Sequence, residues 1–172
     1  MRERYQPERI RLLFVAESPP APTADEVRFF YNAELERWDH MYRAVMQAVF
    51  PSFEYRPGEK DKWLRRFKAN GYYVIDAIDE PVNHLPRKHR DALLLAAVEP
   101  RVREIEKLVS RRTPIVLVKK NIFSLFKPRL CEEGFRVIHD AFLPFPSHGH
   151  QSEFIAGLRK CLHNSAAKAR SQ

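Results

Sequence analysis

Two carboxylates at the ends of apolar runs are the residues best placed for chemistry. Ile10–Ala16 is apolar apart from Arg11 and leads directly into Glu17, Ser18, Pro19 and Pro20. It is too short for a buried helix and stops at prolines that cannot extend a sheet, so it predicts a strand that delivers Glu17 into a stiff loop. Tyr72–Asp76 repeats the arrangement, with Gly71 ahead of it and Asp76 as its last residue. In an open parallel sheet such residues lie at the carboxyl ends of the strands, where these folds bind ligands. Acid chemistry or charge recognition is what a carboxylate in that position can do.

Other chemistries fit the residues less well. Ser18 follows a strand as an elbow serine does, yet Pro19 has no N–H to supply an oxyanion hole, which argues against nucleophilic hydrolysis. With only five glycines in the chain, no strand is followed by a Gly-rich dinucleotide or phosphate loop. His148 and His150, with His139 and Asp140 nearby, are ligand types that suit zinc or iron, but no third spaced ligand accompanies them. Helix capping or phosphate contact is therefore the expectation for the loop histidines, and no metal or cofactor is expected.

The positioning elements follow from periodicity. Asn32–Phe50 carries Leu35, Trp38, Met41, Tyr42, Val45 and Val49 at helical spacing, which predicts a core-facing stripe. Lys60–Ala69 predicts a basic helix with Trp63, Leu64 and Phe67 turned inward, ended by Gly71. After the polar loop Asp79–Pro86, helical patterning covers Arg87–Val98, and Pro100 suits the start of a separate helix through Arg112. Pro114–Val118 is the third expected strand. Lys120–Glu133 is an expected helix kinked or broken near Pro128, and Phe135–His139 is the fourth expected strand. The loop Leu143–His150 then leads to a terminal helix over Gln151–His163. Strands alternating with helices predict a three-layer α/β/α fold around an approximately four-stranded parallel sheet, with Glu17, Asp76, Lys119 and the 144–150 loop at one edge. One domain over residues 1–164 and a flexible tail over 165–172 complete the expected organisation.

Composition narrows the partners. The chain has 172 residues, 44% of them hydrophobic, enough for one substantial core. No run approaches the roughly 18 apolar residues of a membrane helix, and Met1–Pro7 lacks the apolar centre of a signal peptide, so the expectation is a cytoplasmic protein without a membrane partner. Cys131 and Cys161 are too few for a disulfide framework or a four-thiolate cluster. Thirty Lys and Arg against 22 Asp and Glu give a charge of +8. Such a surface favours polyanions, nucleic acid first among them, although basic residues spread over helix faces can equally be solvated excess charge.

The ordered motifs resemble the uracil-DNA glycosylase superfamily. Ala16-Glu-Ser-Pro-Pro20 followed by Arg28-Phe-Phe-Tyr-Asn32 is similar to its first motif and the aromatic that stacks on the base. Tyr73–Asp76 resembles the strand whose final residue reads the base, and Asp79–Pro86 resembles the loop after it. Val116–Phe123 resembles the third strand and its helix, while Phe145-Pro-Ser147 falls where the family carries His-Pro-Ser. The resemblance spans residues 10–160 and implies a glycosylase-like fold that extrudes a base from DNA.

It also implies roles. Glu17 takes the carboxylate position, orienting water or stabilising an oxocarbenium-like state. Ser18, Phe30, Tyr31, Asp76, Phe145 and Ser147 take base-binding positions, with Phe30 or Tyr31 as the stacking wall. Phe145 stands in place of the histidine that donates to the departing base, a role left to His148 or His150. Asp76 stands in place of an asparagine; ionised, it only accepts hydrogen bonds and suits a base edge bearing an amino group. The cysteines of an iron-sulfur branch are absent. Two functions are thus expected from the sequence: hydrolysis of an N-glycosidic bond, or binding of nucleotide or nucleic acid on the same fold without cleavage.

Overall fold

Leu12–Ala16 forms the first strand, β1, and all five of its residues are buried. Runs apolar on both faces belong to sheets covered on both sides, and each of Leu13, Phe14 and Val15, at 0% exposure, contributes roughly 1.5–3 kcal/mol through burial. The structure, a computed structural model, describes residues 1–22, 29–35 and 39–170. Arg28 and Trp38 lie outside the described residues.

The remaining strands are β2 (Tyr72–Asp76), β3 (Pro114–Leu117) and β4 (Arg136–Val137), and the helices are α1 (His40–Val49), α2 (Lys60–Ala69), α3 (Arg87–Leu108), α4 (Lys120–Glu132) and α5 (Gln151–Arg170). The sheet has order β2-β1-β3-β4 with every pairing parallel. α1 packs against α5 and α3 against α4. From β1 the chain crosses one way to β2, then returns over β1 to β3 and continues to β4. Right-handed crossovers therefore set α1 and α2 on one face and α3 and α4 on the other, giving the α/β/α layers. The reversal falls between β1 and β3, which opens the ligand crevice of such sheets at the carboxyl ends of those two strands.

Gly71 shows how tightly β2 is seated. Its φ is +77°, and a Cβ there would stand 2.8 Å from the Arg9 carbonyl oxygen; Arg11 N–H donates to the Gly71 carbonyl at 2.7 Å as the two strands come into register. A side chain is excluded on both counts.

Five expectations are corrected. α3 is one helix, not two: Leu94, Val98, Val102 and Ile105 form a continuous buried stripe across Pro100, and that burial outweighs the single hydrogen bond the proline cannot donate. α4 likewise continues through Pro128, with Ile122, Phe126 and Leu130 buried on either side. α1 begins at His40, because residues 29–35 are taken up by turns, Asn32 N–H to Phe29 O and Leu35 N–H to Asn32 O. β4 stops at Val137, because the His139 ring, rather than a strand carbonyl, accepts the Leu117 N–H at 2.9 Å. The terminal helix also runs past His163 to Arg170, with Arg136 donating to both the carbonyl and hydroxyl of Ser165. No helix among the described residues is long and apolar enough to cross a membrane.

Candidate functional site

Glu17 lies at the reversal point of the sheet and is 8% exposed. The backbone fixes it: Ile78 N–H donates to the Glu17 carbonyl at 3.0 Å, and Ala77 N–H to the Ala16 carbonyl at 2.7 Å. Ala21 N–H donates to Asn83 Oδ1 at 2.9 Å, tying the loop after β1 to the loop after β2. The Glu17 carboxylate is held from two sides. Oε2 accepts from Lys119 Nζ, and Oε1 lies 3.2 Å from Arg90 Nε, a charge contact outside hydrogen-bond alignment.

Lys119 is positioned at a conformational cost. It follows β3 with φ 87° and ψ 145°, a region that is essentially glycine territory and costs on the order of 1–3 kcal/mol for another residue. Its N–H donates to the Leu143 carbonyl and its own carbonyl accepts the Phe123 N–H, both at 3.0 Å. The neighbouring bridge between Val118 and Leu143 extends the sheet edge. The chain is thus pinned on both sides of a backbone that turns the Lys119 side chain onto Glu17.

Arg90 comes from a helix that outreaches the sheet. α3 is about 33 Å long at 1.5 Å per residue, whereas a five-residue strand spans about 16 Å. Arg101, about two-thirds of the way along α3, donates to the Ala77 carbonyl at 3.2 Å and to Asp79 at 2.8 Å, which ties the helix to the loop after β2. The first half of the helix is mostly exposed. There Arg87, Lys88, His89 and Arg90 make a basic first turn, and Leu93 and Leu95 are exposed.

Asp76 is the second strand-end carboxylate. It pairs with Ala16, so in the pleat it leaves the sheet on the face opposite Glu17. It is 8% exposed and makes no hydrogen bond among the described residues. Burial pushes its carboxyl up to about 7, with Arg2 and Arg101 opposing and Asp79 reinforcing the shift. Near neutral pH the group is therefore shared between its forms. The protonated form can donate a hydrogen bond as an asparagine does, whereas the ionised form only accepts.

The other expected site residues are placed differently. Tyr31 is 2% exposed, accepts the Val74 N–H at 2.7 Å and donates to the Val74 carbonyl at 3.2 Å, so its hydroxyl is consumed by β2. Phe30 packs on Tyr31, Tyr42 and Phe67. Both are core aromatics and present no open stacking wall. Ser18 and Ser147 are half-buried, and Phe145 is exposed. His148, with φ +50°, and His150 are exposed; their Nδ1 atoms contact Ser147 Oγ at 2.9 Å and Glu153 at 3.0 Å, and neither touches Glu17. His139 is buried with both nitrogens used, Nε2 accepting from Leu117 N–H and Nδ1 donating to the Ala141 carbonyl at 2.8 Å. This structural role leaves it no lone pair for a metal. Among the described residues no three His, Cys, Asp or Glu side chains are grouped to hold a metal ion.

Sequence reasoning missed Arg90 altogether and placed Lys119 at the edge without giving it a role. The basic first turn of α3, directly after the β2 loop, was the available signal. No family model matches the chain, and no curated protein matches it in sequence.

Proposed function

We propose that this protein binds nucleic acid across the carboxyl edge of its sheet and hydrolyses the N-glycosidic bond of an extruded nucleotide there. The observation that carries the reading is Glu17 held between Lys119 and Arg90 at the reversal point of the sheet. That reaction needs a carboxylate beside a sugar acquiring positive charge and cations for the flanking phosphates, and this cluster has both. Lys119 and Arg90 are the more accessible partners, so phosphates compete with Glu17 for them. The carboxylate released in this way faces the sugar.

The test is incubation with duplex and single-stranded oligonucleotides containing uracil, hypoxanthine, xanthine or alkylated bases, followed by strand scission at abasic sites. Glu17→Gln should lower cleavage by two orders of magnitude or more while binding persists; absence of cleavage across the panel overturns the enzymatic reading. A binding role without cleavage is the second reading. It is favoured by the two cations at Glu17, Lys119 bonded to Oε2 and Arg90 beside Oε1, which already balance the charge that would stabilise the sugar.

A further inference from the structure

A cleft of about 610 Å³ lies beside the crevice, between residues 138–144 and α5. Along α5 it is lined from Glu153 through Gly157, Lys160 and Asn164 to Lys168, a stripe at helical spacing about 22 Å long. Gly157 lets the two walls approach, since a Cβ there would stand 2.8 Å from Leu143 Cδ2. Phe142 rises at the opposite wall, 45% exposed, with Lys120 Nζ 5.7 Å from its ring centroid.

The charges of this groove are unevenly satisfied. Its two carboxylates already have partners: Asp140 pairs with Lys127 at 3.0 Å, and Glu153 lies 3.0 Å from the His150 ring nitrogen. Lys160, Lys168 and Lys120 form no ion pair with the described residues. What remains is a long groove with surplus positive charge and one exposed aromatic face. Stacking faces combined with cations that track a backbone are how single strands are held without regard to sequence. A peptide partner would need acidic side chains for the lysines and would leave the Phe142 face without a planar partner.

We infer that this groove binds a single-stranded nucleic-acid segment, with phosphates on Lys160 and Lys168 and a base stacked on Phe142. The inference rests on the reading that nucleic acid is the partner, and it adds the strand type and a second contact surface. The groove adjoins the crevice through Leu143, whose carbonyl accepts the Lys119 N–H. A strand leaving the crevice therefore meets the groove directly.

The experiment is fluorescence anisotropy of the full chain with labelled single-stranded DNA and RNA oligonucleotides over a range of salt. Lys160→Glu/Lys168→Glu should weaken binding at least tenfold and reduce the slope of log affinity against log salt by about 1.4, the share of two phosphate contacts on a single strand. Phe142→Ala should weaken it about tenfold. Lys62→Glu/Lys107→Glu, on exposed helix positions elsewhere, changes the net charge equally and should cost less than threefold. Equal losses in the two double variants would show diffuse attraction and overturn the groove. Binding weakened by Lys119→Ala and Arg90→Ala, yet unchanged in the groove variants, overturns it while leaving the crevice reading intact. Groove-dependent binding without cleavage of any lesion does the reverse. Polyglutamate of matched charge competing as well as unlabelled oligonucleotide would also sink the assignment.

Discussion

Lys119 and Glu17 meet at the carboxyl edge of the sheet although they stand 102 residues apart in the chain. The ammonium is delivered by a backbone at φ 87°, so strain and charge pairing are coupled in one residue. Lys119→Ala and Lys119→Gly both remove the ammonium, but only glycine accepts that backbone without cost. The glycine variant should exceed the alanine variant in stability by about 1–3 kcal/mol in urea unfolding, while both lose oligonucleotide affinity to the same extent. Equal stabilities would show that the backbone at 119 relaxes.

Arg90→Ala should weaken oligonucleotide binding about threefold to tenfold and flatten its salt dependence, because one phosphate contact is lost. Its effect on folding should be small, since the side chain belongs to the mostly exposed first half of α3. Anisotropy titrations at several salt concentrations read both quantities.

Asp76 makes the fold sensitive to alkali. Its folded carboxyl titrates at about 7 against an ordinary 3.8, so the folded state holds the proton more tightly than the unfolded one. Stability from this group is complete below 3.8 and is lost as pH rises to 7. Asp76→Asn should therefore stabilise the protein at pH 8 by on the order of 2 kcal/mol or more and have little effect at pH 4. Urea midpoints at the two pH values decide the matter.

His139 acts in the opposite sense. Burial holds its imidazole below the ordinary value of 6.5, and its neutral form is required to accept the Leu117 N–H. This contribution is present above 6.5 and is lost as pH falls below it. His139→Gln should be less stable than the wild type at pH 7, and the gap between the two should narrow as pH falls below 6.5, read from paired urea midpoints.

Asp39 and Lys60 form a buried ion pair between the start of α1 and the start of α2, with Lys60 Nζ also 4.6 Å from the Tyr42 ring centroid. Burial pushes the Asp39 carboxyl up to about 6. Asp39→Ala leaves a buried ammonium and should cost about 3–5 kcal/mol, whereas Asp39→Leu combined with Lys60→Met should recover most of that loss. Denaturation of the single and double variants measures the difference.

The sheet was legible in the sequence because its strands are short, apolar on both faces and punctuated by Gly71, Gly134 and prolines. α2 and β2 fall at the residues their patterns indicate, since both are bounded by strong local signals. Local signals misled at Pro100 and Pro128, where burial on either side of the ring carries the helix through. They misled again at Phe30 and Tyr31: an aromatic pair after a loop reads alike whether it faces a ligand or the core, and only the Tyr31 hydroxyl on β2 decides between them. Arg90 and the Glu17–Lys119 pair depend on contacts across the sheet edge, and no pattern along the chain encodes those. The buried, unbonded state of Asp76 likewise depends on what packs around it.

The exposure of the first half of α3 has a mechanical consequence. From Arg87 to Ala97 only Leu94 is fully buried, so this stretch has little core packing of its own, and the Arg90 contact with Glu17 ties it to the sheet edge. A phosphate that draws Arg90 off Glu17 would therefore loosen the end of a helix as well as free a carboxylate.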